Sequence, residues 1–258
     1  MPVTDLQRIA AFRLSFARRQ AAVVNEVPGG VVVLDAEYAA SYEHNQLVIE
    51  GSPDPVGLPA LAEKALGHLE HRQITVLDDR TGTDCAPALT AAGYTHVTEL
   101  VMTYTGSAAA SVPDPSARTV GFDDLRPALV GQLHRWMPEA QDVLVGQLAD
   151  RRTARLRGAE QVRFLAVHDE EGTVGSWADL YRDASEGIAQ IEDVVTADTH
   201  VRRGYADTLL ATALRHASDC GTVFLLADPD DWPHAWYIRR GFKPIGRFHV
   251  FTRAGSEG

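Results

Sequence analysis

The stretch VTADTHVRRGYADTLLATALRHA, residues 195–217, joins an apolar segment to a helical pattern through an Arg-Arg-Gly turn. A helix is predicted from about Gly204 to Ser218 because apolar residues recur there at the spacing of one helix face. These residues are Leu209, Leu210, Ala213, Leu214 and Ala217. The first turn of a helix presents main-chain N–H groups without an intrahelical partner. Arg202 and Arg203 add positive charge there, and Gly204 and Ala206 leave the backbone accessible, so we expect an anion site for a pyrophosphate.

A second interpretation of the same turn is that Gly204 only makes a tight turn and that both arginines are solvated surface residues. The spacing matches neither a Walker loop nor the Gly-x-Gly-x-x-Gly fingerprint. Nucleotide hydrolysis and dinucleotide binding are therefore poorly supported.

The bulk composition limits the class of protein. The chain has 258 residues, a formal net charge of −11, 45% hydrophobic and 23% charged residues. It lacks the positive field that nucleic acid or an anionic membrane surface needs, and no apolar run approaches the roughly 18 residues of a membrane helix. Arg13, Arg18 and Arg19 interrupt the apolar pattern of the first twenty residues, which argues against a secretory signal, so a cytoplasmic location is expected. Neither the two cysteines nor the scattered histidines form a metal-ligand spacing, so no metal is expected.

The chain divides at a segment rich in small residues and proline, GSAAASVPDPSA, residues 106–117, which we interpret as a linker. After it, the patterns predict helices near 123 and over 141–157, strands over 162–168, 176–181 and 187–196, the helix after the Arg-Arg-Gly turn, a buried strand over 222–228, a short helix over 233–240 and a final strand over 247–252.

The part before the linker contains a faint copy of the part after it. An offset of 148 residues superposes Gly93 and Tyr94 on Gly241 and Phe242, and Ala65 to His68 on Ala213 to His216, without a gap. This indicates two related modules in tandem.

With these residues in place, the second module resembles the GNAT superfamily of N-acetyltransferases. The family's pyrophosphate loop, Arg/Gln-x-x-Gly-x-Gly/Ala, matches Val201 to Ala206, although Val201 replaces the usual Arg or Gln. A second signature, roughly Ala/Leu-Tyr-x-x-x-Gly-Phe, matches WYIRRGF, Trp236 to Phe242. The resemblance covers about 118–254 and implies a mixed, mostly antiparallel sheet flanked by helices.

The implied organisation is two GNAT-like domains in tandem: residues 1–105 as a degenerate domain without a cofactor loop, 106–117 as linker and 118–258 as the catalytic domain. The offset places Pro53 to Leu58 opposite the phosphate loop, where two prolines lack an N–H and Asp54 would repel phosphate. We therefore expect the first domain to be catalytically empty.

The resemblance implies acetyl-CoA as cofactor, with its pyrophosphate on the N–H groups of the loop and its pantetheine arm along the fourth strand of the domain, which splays from the next strand. The residues assigned to it are Val194, Val195, Thr196, Val201, Arg202, Arg203, Gly204, Tyr205 and Ala206.

The same resemblance implies the catalytic residues. Tyr237 corresponds to the tyrosine that protonates the leaving thiolate, and a phenol with a reference pKa of about 10 suits that task. Glu192 lies where the family often has an acidic residue that accepts the amine's proton, usually through water. Asp193 is the competing candidate for this base. Simple strand alternation places Glu192 on the face of Val194 and Thr196, and Asp193 on the other.

The expected activity is transfer of acetyl to a primary amine of a small molecule or peptide in a ternary complex, by a monomer or homodimer. The alternatives are a non-catalytic acyl-CoA sensor or scaffold, and an enzyme with another acyl donor. Several aromatic residues are candidates for an acceptor pocket or for the core: Trp136, Trp177, Tyr181, Trp232 and Trp236. The acidic run ADPDD, residues 227–231, either attracts a cationic amine or caps the following helix.

Overall fold

The computed structural model describes residues 3–106 and 117–254, which form two compact units. Of the described residues, unit 1 contains 3–102 and 226–254, and unit 2 contains 103–106 and 117–225. The C-terminal segment therefore groups with the N-terminal part of the chain. The sequence-based domain boundaries describe family modules rather than compact units and stay a prediction, and residues 107–116 of the predicted linker lie outside the described ranges.

The elements alternate between helices and strands along the chain. The helices are α1 (Asp5–Gln20), α2 (Leu58–Leu66), α3 (Asp79–Ala91), α4 (Phe122–Trp136), α5 (Asp142–Asp150), α6 (Arg152–Arg155), α7 (Tyr205–His216) and α8 (Pro233–Ile238). The strands are β1 (Val23–Val27), β2 (Gly30–Leu34), β3 (Gln46–Ile49), β4 (His71–Val76), β5 (Thr95–Tyr104), β6 (Ala117–Val120), β7 (Gln161–His168), β8 (Val174–Asp183), β9 (Ile188–Thr196), β10 (Thr222–Ala227) and β11 (Phe242–Ala254).

Unit 1 has a mixed sheet in the order β1-β2-β3-β4-β11-β5. β3 and β4 are parallel, whereas β1 with β2, β2 with β3 and β4 with β11 are antiparallel. The last strand of the chain thus lies between two strands of the N-terminal half. Its residues His249 to Ala254 face Val76 to His71 in the ladder.

The C-terminal strand is also part of the N-terminal core. Phe251 is fully buried in a cluster with Leu47, Ile74 and Leu89. The buried imidazole of His249 lies 2.9 Å from His96 Nε2 on β5 and 2.9 Å from Asp79 Oδ1 on α3. These contacts join three elements of unit 1 to the end of the chain.

Unit 2 has the strand order β10-β9-β8-β7-β6. β10 and β9 are parallel, and the remaining pairs are antiparallel. Leu125 and Leu129 of α4 pack on Phe164 and Trp177 of the sheet, and α7 packs against the central strands. The sheet therefore holds the start of α7 and the end of β9 next to each other in sequence and in space.

The secondary structure predicted after the linker occurs, with one difference. The helix predicted over 141–157 is divided at Arg151 into α5 and α6, because the chain continues there with short i→i+3 hydrogen bonds such as Ala154 N to Arg151 O, 3.0 Å. The offset of 148 residues places α2 within α7, β2 within β8 and β5 within β11. None of the described helices has both the length and the apolar character that crossing a membrane requires.

We expect Phe251→Ala to lower the free energy of unfolding by about 3–5 kcal/mol, because it leaves a cavity in the core of unit 1. Denaturant unfolding measures this change. The matched control is Ile245→Ala on the same strand, where the side chain is 38% exposed and the loss should be small. Equal losses for both variants would contradict the placement of β11 in that core.

Candidate functional site

The turn between β9 and α7 has a backbone that favours anion binding. The chain leaves β9 at Thr196, makes a single 3₁₀ turn at Asp198–His200 and enters α7 at Tyr205. Arg202 has φ +65° and Gly204 has φ +78°, both in the left-handed region. Residues that alternate into this region turn successive N–H groups toward one side and form a concave anion-binding site.

The main-chain amides at this turn are open. No acceptor among the described residues receives a hydrogen bond from the N–H groups of Val201 to Ala206, and α7 has no side-chain cap. Residues 201–204 are exposed, and a Cβ added to Gly204 would meet no atom within 4 Å. The first turn of α7 can therefore hold an anionic group, and both arginines supply charge beside it.

The segment just before the open amides is fixed by a buried histidine. His200 Nε2 lies 3.0 Å from Asp169 Oδ2, and its Nδ1 lies 2.8 Å from Thr199 Oγ1. The hydrogen bond from His200 holds the pKa of Asp169 below its usual value. A Cβ on Gly175 would lie 2.7 Å from the His200 ring, so only glycine allows this close approach. The turn is thus anchored to the β7–β8 hairpin.

The strand β9 separates from β10 part of the way along its length. The two pair only from Ile188 to Gln190, opposite Thr222 to Phe224, whereas β9 continues to Thr196. Val194, Val195 and Thr196, predicted to contact a pantetheine arm, lie in the stretch without a β10 ladder. The splay expected from the sequence is present, and it leaves one edge of β9 available to an extended ligand.

A β-bulge interrupts β9 next to this edge. Trp177 of β8 pairs with Val195, but Asp179 pairs with Glu192, so Asp193 and Val194 together face one residue of β8. Asp193 has φ +51°. A bulge leaves main-chain groups unpaired and redirects the side chains that follow it.

The bulge makes the simple alternation predicted for β9 wrong beyond Glu192. Trp177 and Asp179 share a face of β8, so their partners Val195 and Glu192 share a face of β9. Thr196 lies on the other face. Regular alternation had grouped Thr196 with Glu192. The grouping is wrong because one extra residue in a strand shifts every later side chain to the opposite face.

Glu192, the predicted base, is half-buried on β9 and accepts a hydrogen bond of 2.9 Å from Gln190 Nε2. Asp193, its competitor, is bound differently. Its Oδ2 accepts from Arg155 Nη1 at 2.6 Å and lies 3.2 Å from Arg152 Nη2. A carboxylate between two guanidinium groups is a poor proton acceptor, because its negative charge is stabilised there.

A cavity of about 90 Å³ lies within unit 2, between its first helices and the faces of β8 and β9. Its wall is apolar on the α4 and α5 side and charged where α6 meets the bulge. The lining residues are Leu129, Gln132, Leu133, Trp136, Leu148, Ala149, Arg151, Arg152, Arg155, Trp177, Asp193 and Val195.

The charged side of this cavity was missed from the sequence. Arg152 Nε donates to Asp179 Oδ1 and Arg155 Nη1 to Asp179 Oδ2, both at 2.9 Å, and Tyr181 Oη also donates to Asp179 Oδ2 at 2.9 Å. Asp179 is completely buried. Two arginines three positions apart on one helix, and an aspartate in an apolar strand, were the available signals.

Tyr237, the predicted acid, lies on α8 in unit 1. Its side chain is 8% exposed, and its ring meets Phe242 edge-on at 5.8 Å and Trp236 at 4.9 Å. These contacts also suit a core aromatic at a helix–strand contact, so its catalytic role stays a prediction.

The other aromatic candidates separate by position. Trp136 and Trp177 line the cavity in unit 2, and Tyr181 is buried against Asp179. In unit 1, Trp232 is exposed and Trp236 stacks under the Arg240 guanidinium, 4.0 Å from its ring centre.

The acidic run before α8 makes local turn contacts. Asp228 Oδ1 accepts from Asp230 N at 2.8 Å, and Asp231 Oδ1 accepts from Trp232 N at 2.7 Å. These hydrogen bonds stabilise the turn before α8, whereas α8 itself has no side-chain cap, so the expected capping by ADPDD is not seen.

The corresponding turn in unit 1 is closed. Asp54 Oδ1 accepts from Val56 N, and Asp54 Oδ2 accepts from Gly57 N, both at 3.1 Å. β3 and β4 also stay paired to their ends, where Ile49 faces Val76 and Leu77 N continues to Ile49 O at 2.9 Å. The amides and the strand edge that are open in unit 2 are thus occupied by the protein itself in unit 1.

Within the ranges that the structure describes, no group of three or more His, Cys, Asp or Glu side chains is arranged to hold a metal ion.

Comparisons with known proteins agree with this architecture. The chain is similar in structure to a GCN5-related N-acetyltransferase from Kribbella flavida, with a TM-score of 0.66, 16% identity and coverage of 100% of this chain and 98% of that chain. It is also similar to a tandem GNAT protein from the clavulanic acid biosynthesis pathway, with a TM-score of 0.57, 14% identity and coverage of 100% and 90%. A conserved protein of unknown function from Staphylococcus epidermidis has a TM-score of 0.68, 12% identity and coverage of 90% and 93%. At these identities the likeness concerns the fold.

Comparison of the sequence with curated proteins gives no match. The predicted fold class, a mixed α/β architecture with GNAT-like domains in tandem, is confirmed by these structures. Residues 125–242 match the model of the acetyltransferase (GNAT) family, and they include the turn Val201 to Ala206, the bulged strand and the second signature. This part of the chain is therefore a GNAT-family acetyltransferase domain.

Proposed function

We propose that the chain is an acetyl-CoA-dependent N-acetyltransferase that acetylates a primary amine of a small molecule or peptide by direct transfer in a ternary complex. The observation that carries the proposal is the set of open main-chain amides at Val201 to Ala206. In a chain with a net charge of −11, these amides with Arg202 and Arg203 offer local attraction for a pyrophosphate.

The residues of unit 2 fit this carrier. Gly204 leaves the space above the amides empty, and the β9 edge from Val194 to Thr196 offers main-chain groups in an extended row beside the turn. Val201, which replaces the usual Arg or Gln, is 52% exposed.

When bound, acetyl-CoA supplies an acetyl group activated as a thioester. The amine must be neutral to attack, so Glu192 accepts its proton, through water where the distance requires it. Tyr237 is the proposed acid: its hydroxyl would supply the proton that the coenzyme A sulfur needs when the C–S bond breaks and the C–N bond forms.

One prediction of the proposed function concerns the number of acetyl-CoA sites per chain. Titration calorimetry with acetyl-CoA should give one site per chain, because Asp54 and the paired strands occupy the corresponding positions in unit 1. Gly204→Asp should raise the Kd by at least about tenfold, since it places a carboxylate beside the phosphates. The control is Val56→Asp at the corresponding turn of unit 1, where Val56 is 80% exposed and no change in Kd is expected. Two equivalent sites, or equal effects of both variants, would refute the assignment.

The second prediction concerns the acid. Tyr237→Phe should lower kcat by roughly 10 to 1,000-fold, the range expected for loss of a general acid. The phenyl ring keeps the contacts with Phe242 and Trp236, so the melting temperature should change little. Steady-state kinetics and thermal unfolding measure both quantities, and an unchanged kcat would remove Tyr237 from the mechanism.

The third prediction separates an enzyme from a sensor. Release of free coenzyme A, followed with a thiol reagent, should occur with at least one member of a broad panel of amines. Binding of acetyl-CoA without turnover of any amine would favour the non-catalytic sensor instead.

A further inference from the structure

The bulge of β9 is held in a backbone conformation that most residues avoid. Among the described residues other than glycine, only Asp193 and Arg202 have positive φ. Aspartate tolerates the left-handed region better than most residues do. A β-strand, however, requires extended backbone, so the strand itself does not favour positive φ at Asp193. Something outside β9 must fix Asp193 there.

The α6 arginines provide that constraint. Arg155 Nη1 donates to Asp193 Oδ2 at 2.6 Å, and Arg152 Nη2 lies 3.2 Å from the same oxygen. Both side chains are at least nine-tenths buried, at 9% and 4% side-chain exposure. A flexible surface ion pair would not restrict a backbone, whereas two buried guanidinium groups in fixed positions do.

The second partner of both arginines is the residue opposite Glu192. Asp179 accepts from Arg152 and Arg155 at 2.9 Å, and it faces Glu192 directly in the β8–β9 ladder. The four side chains thus meet at one end of the irregular register: Asp179 pairs with Glu192, and Asp193 is the next residue of β9. Charges within the cluster balance, with two arginines and two aspartates.

We infer that Asp193 is a positioning residue, held by Arg152 and Arg155, which also bind Asp179, and that it fixes the bulge and thereby the direction of Glu192. The inference rests on the proposed acetyltransferase function and assigns to this cluster a task in that reaction. It also favours Glu192 over Asp193 as the base, because the carboxylate of Asp193 lies between two guanidinium groups that stabilise its negative charge.

The pH profile of kcat/KM tests the roles of the two carboxylates. Glu192→Gln should remove the rising limb that a general base produces, whereas Asp193→Asn should keep that limb and lower kcat/KM by less than about tenfold. Asparagine still accepts a hydrogen bond from Arg155 and tolerates positive φ. Loss of the rising limb in Asp193→Asn, with the limb retained in Glu192→Gln, would overturn the inference.

A second pair of variants isolates the backbone. Glycine adopts φ +51° without strain and alanine does not, and both remove the carboxylate. We expect Asp193→Ala to lower kcat by about 10 to 100-fold, and Asp193→Gly to recover a substantial part of that loss, because small displacements at a reacting centre are costly. Equal kcat values for the two variants would contradict a positioning role.

One readout does not depend on turnover. The melting temperature of Asp193→Gly should exceed that of Asp193→Ala by about 2–4 °C. If the wild-type protein acetylated no amine, the proposed function would fall, but this order of melting temperatures would still support the locked bulge. The reverse order, or equal values, would overturn it.

Discussion

Strand β9 hydrogen-bonds to β8 along most of its length but to β10 only as far as Gln190, and this one-sided pairing governs the site. A strand paired on both edges has no main-chain groups left for a ligand. After Gln190 the β10 ladder no longer covers β9, and beyond Thr196 the chain turns into α7, whose first amides have no acceptor among the described residues. Both open main-chain surfaces follow from the same departure of β9 from β10.

In unit 1 the corresponding parallel strands do not separate, and the protein itself occupies the amides of the turn that follows. β3 and β4 are parallel, like β9 and β10, but they remain paired to Ile49 and Val76, and Leu77 extends the ladder. Asp54 then caps the amides that precede α2. A carboxylate supplied by the chain satisfies those donors permanently, and the turn gains stability in place of a ligand site. The difference lies in a few local hydrogen bonds rather than in the fold.

The features that the sequence predicted well are those set by neighbouring residues. The phosphate turn and α7 follow from Gly204 and a helical apolar pattern, and the elements after the linker follow from similar local periodicity. The bulge was missed because β9 alternates regularly up to Glu192, and nothing in the sequence at Asp193 indicates that an extra residue is inserted there. The insertion of β11 was missed for another reason: pairing between His71 to Val76 and His249 to Ala254 joins segments far apart in the chain, and no local pattern encodes it.

Two residues of the site, Arg202 and Asp193, have a strained backbone conformation. In both cases side-chain contacts outside the open main-chain groups hold the chain in that conformation. Left-handed backbone at a residue other than glycine costs about 1–2 kcal/mol, and the chain accepts this cost at Arg202 and at Asp193. At Asp193 the buried arginines offset it; at Arg202 the adjacent turn is fixed by the His200–Asp169 pair. Neither pair touches the open amides directly. These pairs keep the main-chain N–H groups of the turn exposed. Without them, the loop would relax and its N–H groups would form hydrogen bonds within the protein.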